Sequence, residues 1–205
     1  MNGAMKRWRH ALRLAGRFSG DHSGVAATEF AVIVPIMLVL FFGVVEITNG
    51  VAAYRDVSIM AHTTSDLTTQ SKSVQDSDLT NFFNASIGVF YPYVTSPTDP
   101  NLKQSIAELW VNSSLQARVQ WAVNSDGSTP SPPGTIVTIP SALQVANTYV
   151  IWSSATYLYV PIGGIGFVMN KAGVTLTDFS YSRPRQSQCV FYDTPTPLPT
   201  TCPQN

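Results

Sequence analysis

The chain is poor in the residues that carry most enzyme chemistry. Its three histidines are His10, His22 and His62, so no residue beyond position 62 supplies an imidazole. That excludes a Ser-His-Asp triad and a histidine-based zinc site from the larger, C-terminal part of the chain. A calcium loop is missing as well, because Asp76 and Asp78 lack the further oxygen ligands and the glycine it needs. Gly163-Gly164-Ile165-Gly166 has neither the spacing nor the strand-to-helix context of a dinucleotide loop and reads as a turn. Paired carboxylates work without histidine, and Glu108 and Asp178 both fall on expected strands, but acids so placed are ordinarily solvated face residues. No internal repeat is visible. No metal, cofactor or catalytic residue is expected.

What the chain does have is a lopsided start. Residues 1–24 carry Lys6, Arg7, Arg9, Arg13 and Arg17 against Asp21, a net of +4; beyond them seven basic residues face eleven acids, a net of −4. Gly24 is followed by Val25-Ala26-Ala27-Thr28-Glu29-Phe30, and Phe30 to Val45 is a run of 16 uncharged residues. A helix needs roughly 20 apolar residues to cross a bilayer. The run reaches that length by taking in Glu29 near one end and Glu46 near the other, which places the span at about 26–47. Excess Lys/Arg beside such a segment stays on the cytoplasmic side, so the N-terminus is expected inside and everything after Glu46 outside. A basic segment this short, set directly against a membrane helix, does not point to nucleic acid.

Glu29 is the residue that needs explaining. A charge well inside a bilayer costs at least about 2.5 kcal/mol, so it marks function by default. One alternative is an ordinary signal anchor, with Glu29 at the headgroup boundary favouring the positive helix N-terminus. Another is a secretory signal peptide cut near Val51-Ala52-Ala53; Glu46, Asn49 and the overlong apolar core argue against it. Pro35 removes one backbone donor within the helix and is expected to kink it.

The helical pattern continues past the span. Ile47, Val51, Tyr54, Val57, Ala61, Thr64 and Leu67 recur at steps of three and four, with Glu46, Asn49, Arg55, Asp56 and His62 off that stripe. A helix from Val25 to about Gln70 would be roughly 70 Å long. Ser65 to Ser77 is polar, a helix end or a linker. Asp78 is placed to cap a short helix carrying Leu79, Phe82, Phe83, Ile87 and Phe90. Alternation then predicts strands over Ile106 to Val111, Ala117 to Val123, Thr148 to Val160 and Val174 to Tyr181, with a short helix at Ser141 to Ala146. The chain thus divides into a leader (1–24), a long helix (25–70) and an exported domain (71–205). The fold class is α+β, with roughly four antiparallel strands beside one long helix.

Basic leader, glycine, glutamate and membrane helix together look like a prepilin. Gly24-Val25-Ala26-Ala27-Thr28-Glu29-Phe30-Ala31-Val32-Ile33-Val34-Pro35 resembles the start of the TadE/TadG-like family, the pseudopilins or minor pilins of tight-adherence (Flp-type) pili. Gly43-Val44-Val45-Glu46 and Tyr54-Arg55-Asp56-Val57 resemble the continuation of that helix. Tyr157-Leu158-Tyr159-Val160-Pro161 and Tyr181-Ser182-Arg183-Pro184-Arg185 are similar to strands of its periplasmic domain. Ala61-His62-Thr63-Thr64-Ser65-Asp66 departs from the family's usual Ala-Ala-Arg-Glu-Gly stretch. The resemblance implies cleavage by a prepilin peptidase between Gly24 and Val25. It also implies an assembly role for Glu29 and Phe30, in which the carboxylate pairs with the new terminal amine of an adjacent subunit. The partners implied are the inner membrane, the peptidase, other pilins or pseudopilins and the assembly platform. The domain would then be periplasmic or carried in an extracellular pilus.

Two features remain open on the sequence. In an exported domain Cys189 and Cys202 form either a disulfide, closing a loop over the proline-rich tail, or two free thiols. Trp110, Trp121, Trp152, Tyr149, Tyr157 and Tyr159 lie on expected strands, where most should be core; exposed, they would suit a membrane-anchored adhesive or sensing domain with a surface ligand, the alternative to a processed pilin.

Overall fold

The apolar run is the middle of a helix, α1, that is continuous from Ser23 to Thr69 and passes through Pro35 without a break. The computed structural model describes residues 23–96, 99–128, 130–161, 173–194 and 197–205. The basic leader and the expected Gly163-Gly164-Ile165-Gly166 turn lie outside these residues. The first half of α1 projects alone: Phe30, Val32, Ile36, Val39 and Leu40 are all exposed. The second half packs on a sheet.

That sheet has five strands in the order β4-β3-β2-β5-β6, all antiparallel. They are β2 (Leu102–Val111), β3 (Ala117–Asn124), β4 (Ile136–Val137), β5 (Thr148–Tyr159) and β6 (Val174–Ser182). The four longer strands follow the alternation of the sequence; β4, at two residues, is too short to show a period. A second, two-stranded parallel sheet joins β1 (Ser73–Val74) to β7 (Phe191–Tyr192). It ties the segment just after α1 to the C-terminal tail. A short helix, α2 (Asp76–Ile87), follows β1, and Gly88–Phe90 continues it as a 3-10 turn. Asp78 does not start α2. It sits one turn in and accepts the Gln75 N–H at 3.0 Å, reaching back to satisfy a donor that the helix itself leaves open.

The stripe that the periodicity suggests meets the domain at Val57, Ala61 and Thr64 but not nearer the apolar run. Ile47, Val51 and Tyr54 are exposed, and the buried row is Glu46, Ala53, Val57, Met60, Ala61 and Thr64. Helix and sheet approach closely where side chains are small, so Ala53 and Ala61 face β5 and the bulkier row turns outward. Ser153 Oγ donates to Ala61 O at 2.6 Å, a distance that only a close approach allows. The α1 side of the sheet holds two cores, one under α1 (Val57, Met60, Phe90, Tyr157, Tyr159) and one under α2 (Leu79, Phe83, Ile106, Trp121, Ile151). A third, on the opposite face, gathers Leu109, Val111 and Val119 beneath Ile139. The middle of β2 is therefore covered on both faces.

This double cover changes the standing of Glu108. Expected as a solvated face residue, it is 0% exposed. Its Oε1 accepts the Val190 N–H at 2.6 Å, while Trp121 Nε1 donates to Val190 O at 2.8 Å. A β2 carboxyl and a β3 indole thus grip one residue of the tail. The tail is held again by the disulfide between Cys189 and Cys202, with Cα atoms 5.9 Å apart, and by Tyr149 Oη donating to Pro203 O at 2.9 Å. The strand β7 lies inside the loop that the disulfide closes, so Cys189 precedes the last strand of the fold.

Burial pushes the Glu108 carboxyl up from an ordinary 4.5 to about 8, against the opposing pull of the Val190 and Trp121 donors. The folded chain keeps a proton there that the unfolded chain gives up at lower pH. Stability is therefore greatest below the unfolded value and falls as pH rises towards the folded one, by at most about 1.4 kcal/mol per pH unit. Glu108→Gln keeps an acceptor for Val190 and removes the ionisable proton. The variant should melt higher than the parent at pH 8 and lose this slope, measured by thermal unfolding of the full chain in detergent at fixed ionic strength. Parallel melting curves from pH 5 to pH 8 would contradict a protonated Glu108.

Candidate functional site

The residues singled out by the sequence lie along α1. Gly24 is in its first turn with no other atom near the position a Cβ would take. Val25 and Glu29 are exposed, as is Phe30 at 68%. Glu29 stands one helical turn beyond Val25, on the same side of the helix, since residues four apart are neighbours on a helix surface. Thr28 Oγ1 donates to Val25 O at 2.8 Å, so the hydroxyl in this stretch is satisfied within the helix. From Phe30 to Val45 nothing on α1 carries a charge. Glu29 is thus a single carboxylate at the end of an apolar rod long enough to cross a membrane.

The other end of the apolar segment has a feature that periodicity did not reveal. Glu46 is 8% exposed, on the face turned to the domain. Its Oε2 accepts the Tyr159 hydroxyl at 3.0 Å. Burial, then the hydrogen bond and charge of Glu46, push the Tyr159 phenol up to about 12. The phenol therefore keeps its proton at any physiological pH, and the direction of the bond is fixed. One turn further, Tyr93 Oη donates to Asn49 O at 3.1 Å. The Tyr159 ring lies beside α1 at Gly50, where a Cβ would stand 3.8 Å from the ring edge, an ordinary contact. Glu46 and Tyr159 are 113 residues apart, so no local pattern could pair them. The Tyr157-Leu158-Tyr159 motif marked the strand but not its partner.

Higher on α1 the ties become polar. His62 Nδ1 and Ser180 Oγ are 3.0 Å apart, and Arg185 pairs with Asp66. Gln104 of β2 joins three elements: its Oε1 accepts from Thr64 of α1 at 3.3 Å and from Ser86 of α2 at 2.6 Å. The acids Glu108 and Asp178 do not meet. They stand on strands separated by β5, opposite Ile151 and Ala155 respectively. No group of three or more His, Cys, Asp or Glu side chains among the described residues could hold a metal. The strand aromatics Trp121, Tyr149, Tyr157 and Tyr159 are buried, with Trp110 and Trp152 half-buried. Beside the Trp121–Tyr192 stack lies a groove of about 580 Å³, walled largely by Pro130, Pro132 and Pro133.

Residues 24–65 match the model of the TadE-like protein family. The match begins at the glycine of the Gly24-to-Glu29 spacing and covers α1 through Glu46, Ala53, Val57, Ala61 and Thr64. The TadE-like segment thus contains both the exposed apolar rod and most of the surface that carries the domain, and it stops short of the sheet. No curated protein and no solved structure matches the chain.

The Tyr159 bond is the contact through which the TadE-like helix holds the near end of β5. Removing a hydrogen-bond donor from a buried acceptor costs about 1–3 kcal/mol. Tyr159→Phe should lower stability by that amount, read as a drop in the melting midpoint of the full chain in detergent. Thr156→Val, which breaks the Thr156–Thr177 contact between β5 and β6, should cost less. A Tyr159→Phe midpoint equal to that of the parent would show that Glu46 gains nothing from Tyr159.

Proposed function

We propose that the chain is a pseudopilin or minor pilin of a tight-adherence pilus, a structural and assembly protein without enzymatic activity. It is inserted with its N-terminus in the cytoplasm, cleaved by a prepilin peptidase between Gly24 and Val25, and recruited to the assembly platform through α1. The observation that carries this reading is Glu29, alone and exposed at the start of an apolar helix and five residues past Gly24. Support also comes from the TadE-like match over residues 24–65, which associates the helix with Tad pilus proteins.

Cleavage would place a new α-amino group on Val25. In hydrocarbon an unpaired ammonium and an unpaired carboxylate are both costly, and pairing the two between adjacent copies offsets much of each cost. Within one copy Val25 and Glu29 project from successive turns of α1, so a neighbouring helix shifted along its axis brings the groups together. The exposed row Ile47, Val51 and Tyr54 extends the apolar surface beyond the span and gives such a neighbour a surface to pack on. A soluble domain has no use for an uncovered row of this kind; an assembling helix does.

Intact mass and N-terminal sequencing of the protein from native membranes test the reading. A chain starting at Val25 is expected, with Glu29→Ala reducing pilus number. Unchanged cleavage and unchanged pilus number in Glu29→Ala would remove the assembly role. A start at Tyr54 would mean a secreted domain, and an uncut chain a simple membrane anchor.

A further inference from the structure

We propose that the end of the domain beside Glu46 docks on the bilayer that α1 crosses, lodging Tyr91, Leu158, Val160 and Val174 at the boundary between headgroups and acyl chains. The inference rests on α1 being a membrane span, and it concerns the domain, to which the span by itself assigns no contact with lipid.

Three observations carry it. The first is height. Tyr159 is bonded to Glu46 and Tyr93 to Asn49, so the last residue of β5 and the loop after α2 are held level with the outer end of the span. No linker separates domain from membrane, because the same helix continues into both. The second is the surface found at that level. Tyr91 is 72% exposed and Val174 56% exposed, with Leu158 and Val160 more than one-third exposed. Val174 stands opposite Tyr159 in the β5–β6 register and shares its face, while Leu158 and Val160 flank Tyr159 and point to the other face, so the three present apolar surface on both faces at the foot of the sheet. Residues 155–159 and 174–177, the paired ends of these strands, contain no charged side chain. The third is continuity. Between Glu46 and Arg55 α1 carries no charge, and its exposed Ile47, Val51 and Tyr54 carry the apolar surface of the span past the level of the patch.

Water would meet this surface at a cost that the interface removes. Tyrosine is enriched at the membrane–water boundary because its ring is apolar and its hydroxyl is wet. Valine and leucine beside it would enter to the depth reached by surface-lying apolar faces, about 5–10 Å. At the opposite end the exposed apolar residues Leu115, Ile136 and Val145 come from three separate segments, the β2–β3 turn, β4 and the loop before β5. Docking would fix the tilt of the domain on the membrane and present the opposite end, with the β2–β3 turn, to the periplasm.

The test uses the full chain in vesicles of phosphatidylethanolamine and phosphatidylglycerol. Single cysteines (Tyr91→Cys, Val174→Cys, Leu115→Cys, Val39→Cys) are labelled with an environment-sensitive nitrobenzoxadiazole dye, the native cysteines remaining bonded to each other. Lipids bearing a doxyl quencher are then added. Labels at 91 and 174 should lose fluorescence, that at 115 should not, and that at 39 should lose most. Quenching at 39 with none at 91 and 174 would overturn the docking while leaving the span intact. Lack of quenching at 39 would remove the span, and the docking with it. A blue-shifted but unquenched label at 91 or 174 would mean a protein neighbour, such as a second copy, and would likewise overturn the proposal.

Discussion

The packing of α1 on β5 through Ala53, Val57 and Ala61 fixes where the apolar rod ends and the domain begins. Everything else in the fold is positioned from this contact. Small residues on the helix bring Ser153 within 2.6 Å of Ala61 O, and the same closeness lets Tyr159 reach Glu46 and Tyr93 reach Asn49. A leucine in place of Ala61 would hold the helix away from the sheet and break the contacts on either side of it. The helix is thus shared between two environments, with apolar side chains on every side in its first half and a narrow strip of small ones facing the sheet in its second.

The buried polar groups follow from this sharing. A helix with only a narrow apolar strip cannot be held by hydrophobic area alone, and the sheet supplies directional contacts instead. Gln104 takes hydroxyls from α1 and α2 at one carbonyl oxygen, which sets the angle between the two helices. Glu108 and Trp121 hold the two sides of Val190, which sets the path of the tail. With β7 paired to β1, the tail in turn holds the segment that follows α1. The domain is closed by its last residues, so the disulfide between Cys189 and Cys202 secures the end of α1 as well as the tail.

Much of the fold could be read in the sequence. The 16 uncharged residues required a long helix, and alternation in Ala117 to Val123 and Val174 to Tyr181 required strands. The helix stripe holds at Val57, Ala61 and Thr64, which are buried, and departs at Ile47, Val51 and Tyr54, which are exposed. Near the apolar run both that exposed row and the one through Ala53 are apolar, so periodicity gives no contrast between them. Glu108 departs from the solvated position expected of a strand acid because β2 is covered on both faces. The signal that would have corrected this was present: Ala107, Leu109 and Val111 on one side and Ile106 and Trp110 on the other leave β2 no wet face. The pairing of Glu46 with Tyr159 could not be read at all, since it depends on how the helix crosses the sheet.

Glu29 and Glu46 flank the uncharged run of α1, and their environments differ. Glu46 is buried against the domain and bonded to Tyr159, so it is a structural group in a single chain. Glu29 stands exposed on a bare helix, about 25 Å away along the axis at 1.5 Å per residue. If both carboxylates merely flanked a membrane span, their environments would be interchangeable. Instead the domain supplies Tyr159 to Glu46, while Glu29 faces outward from the chain. In the proposed pilin reading the partner for Glu29 is another molecule that also enters the bilayer, and a second helix bearing a free terminal amine meets both conditions.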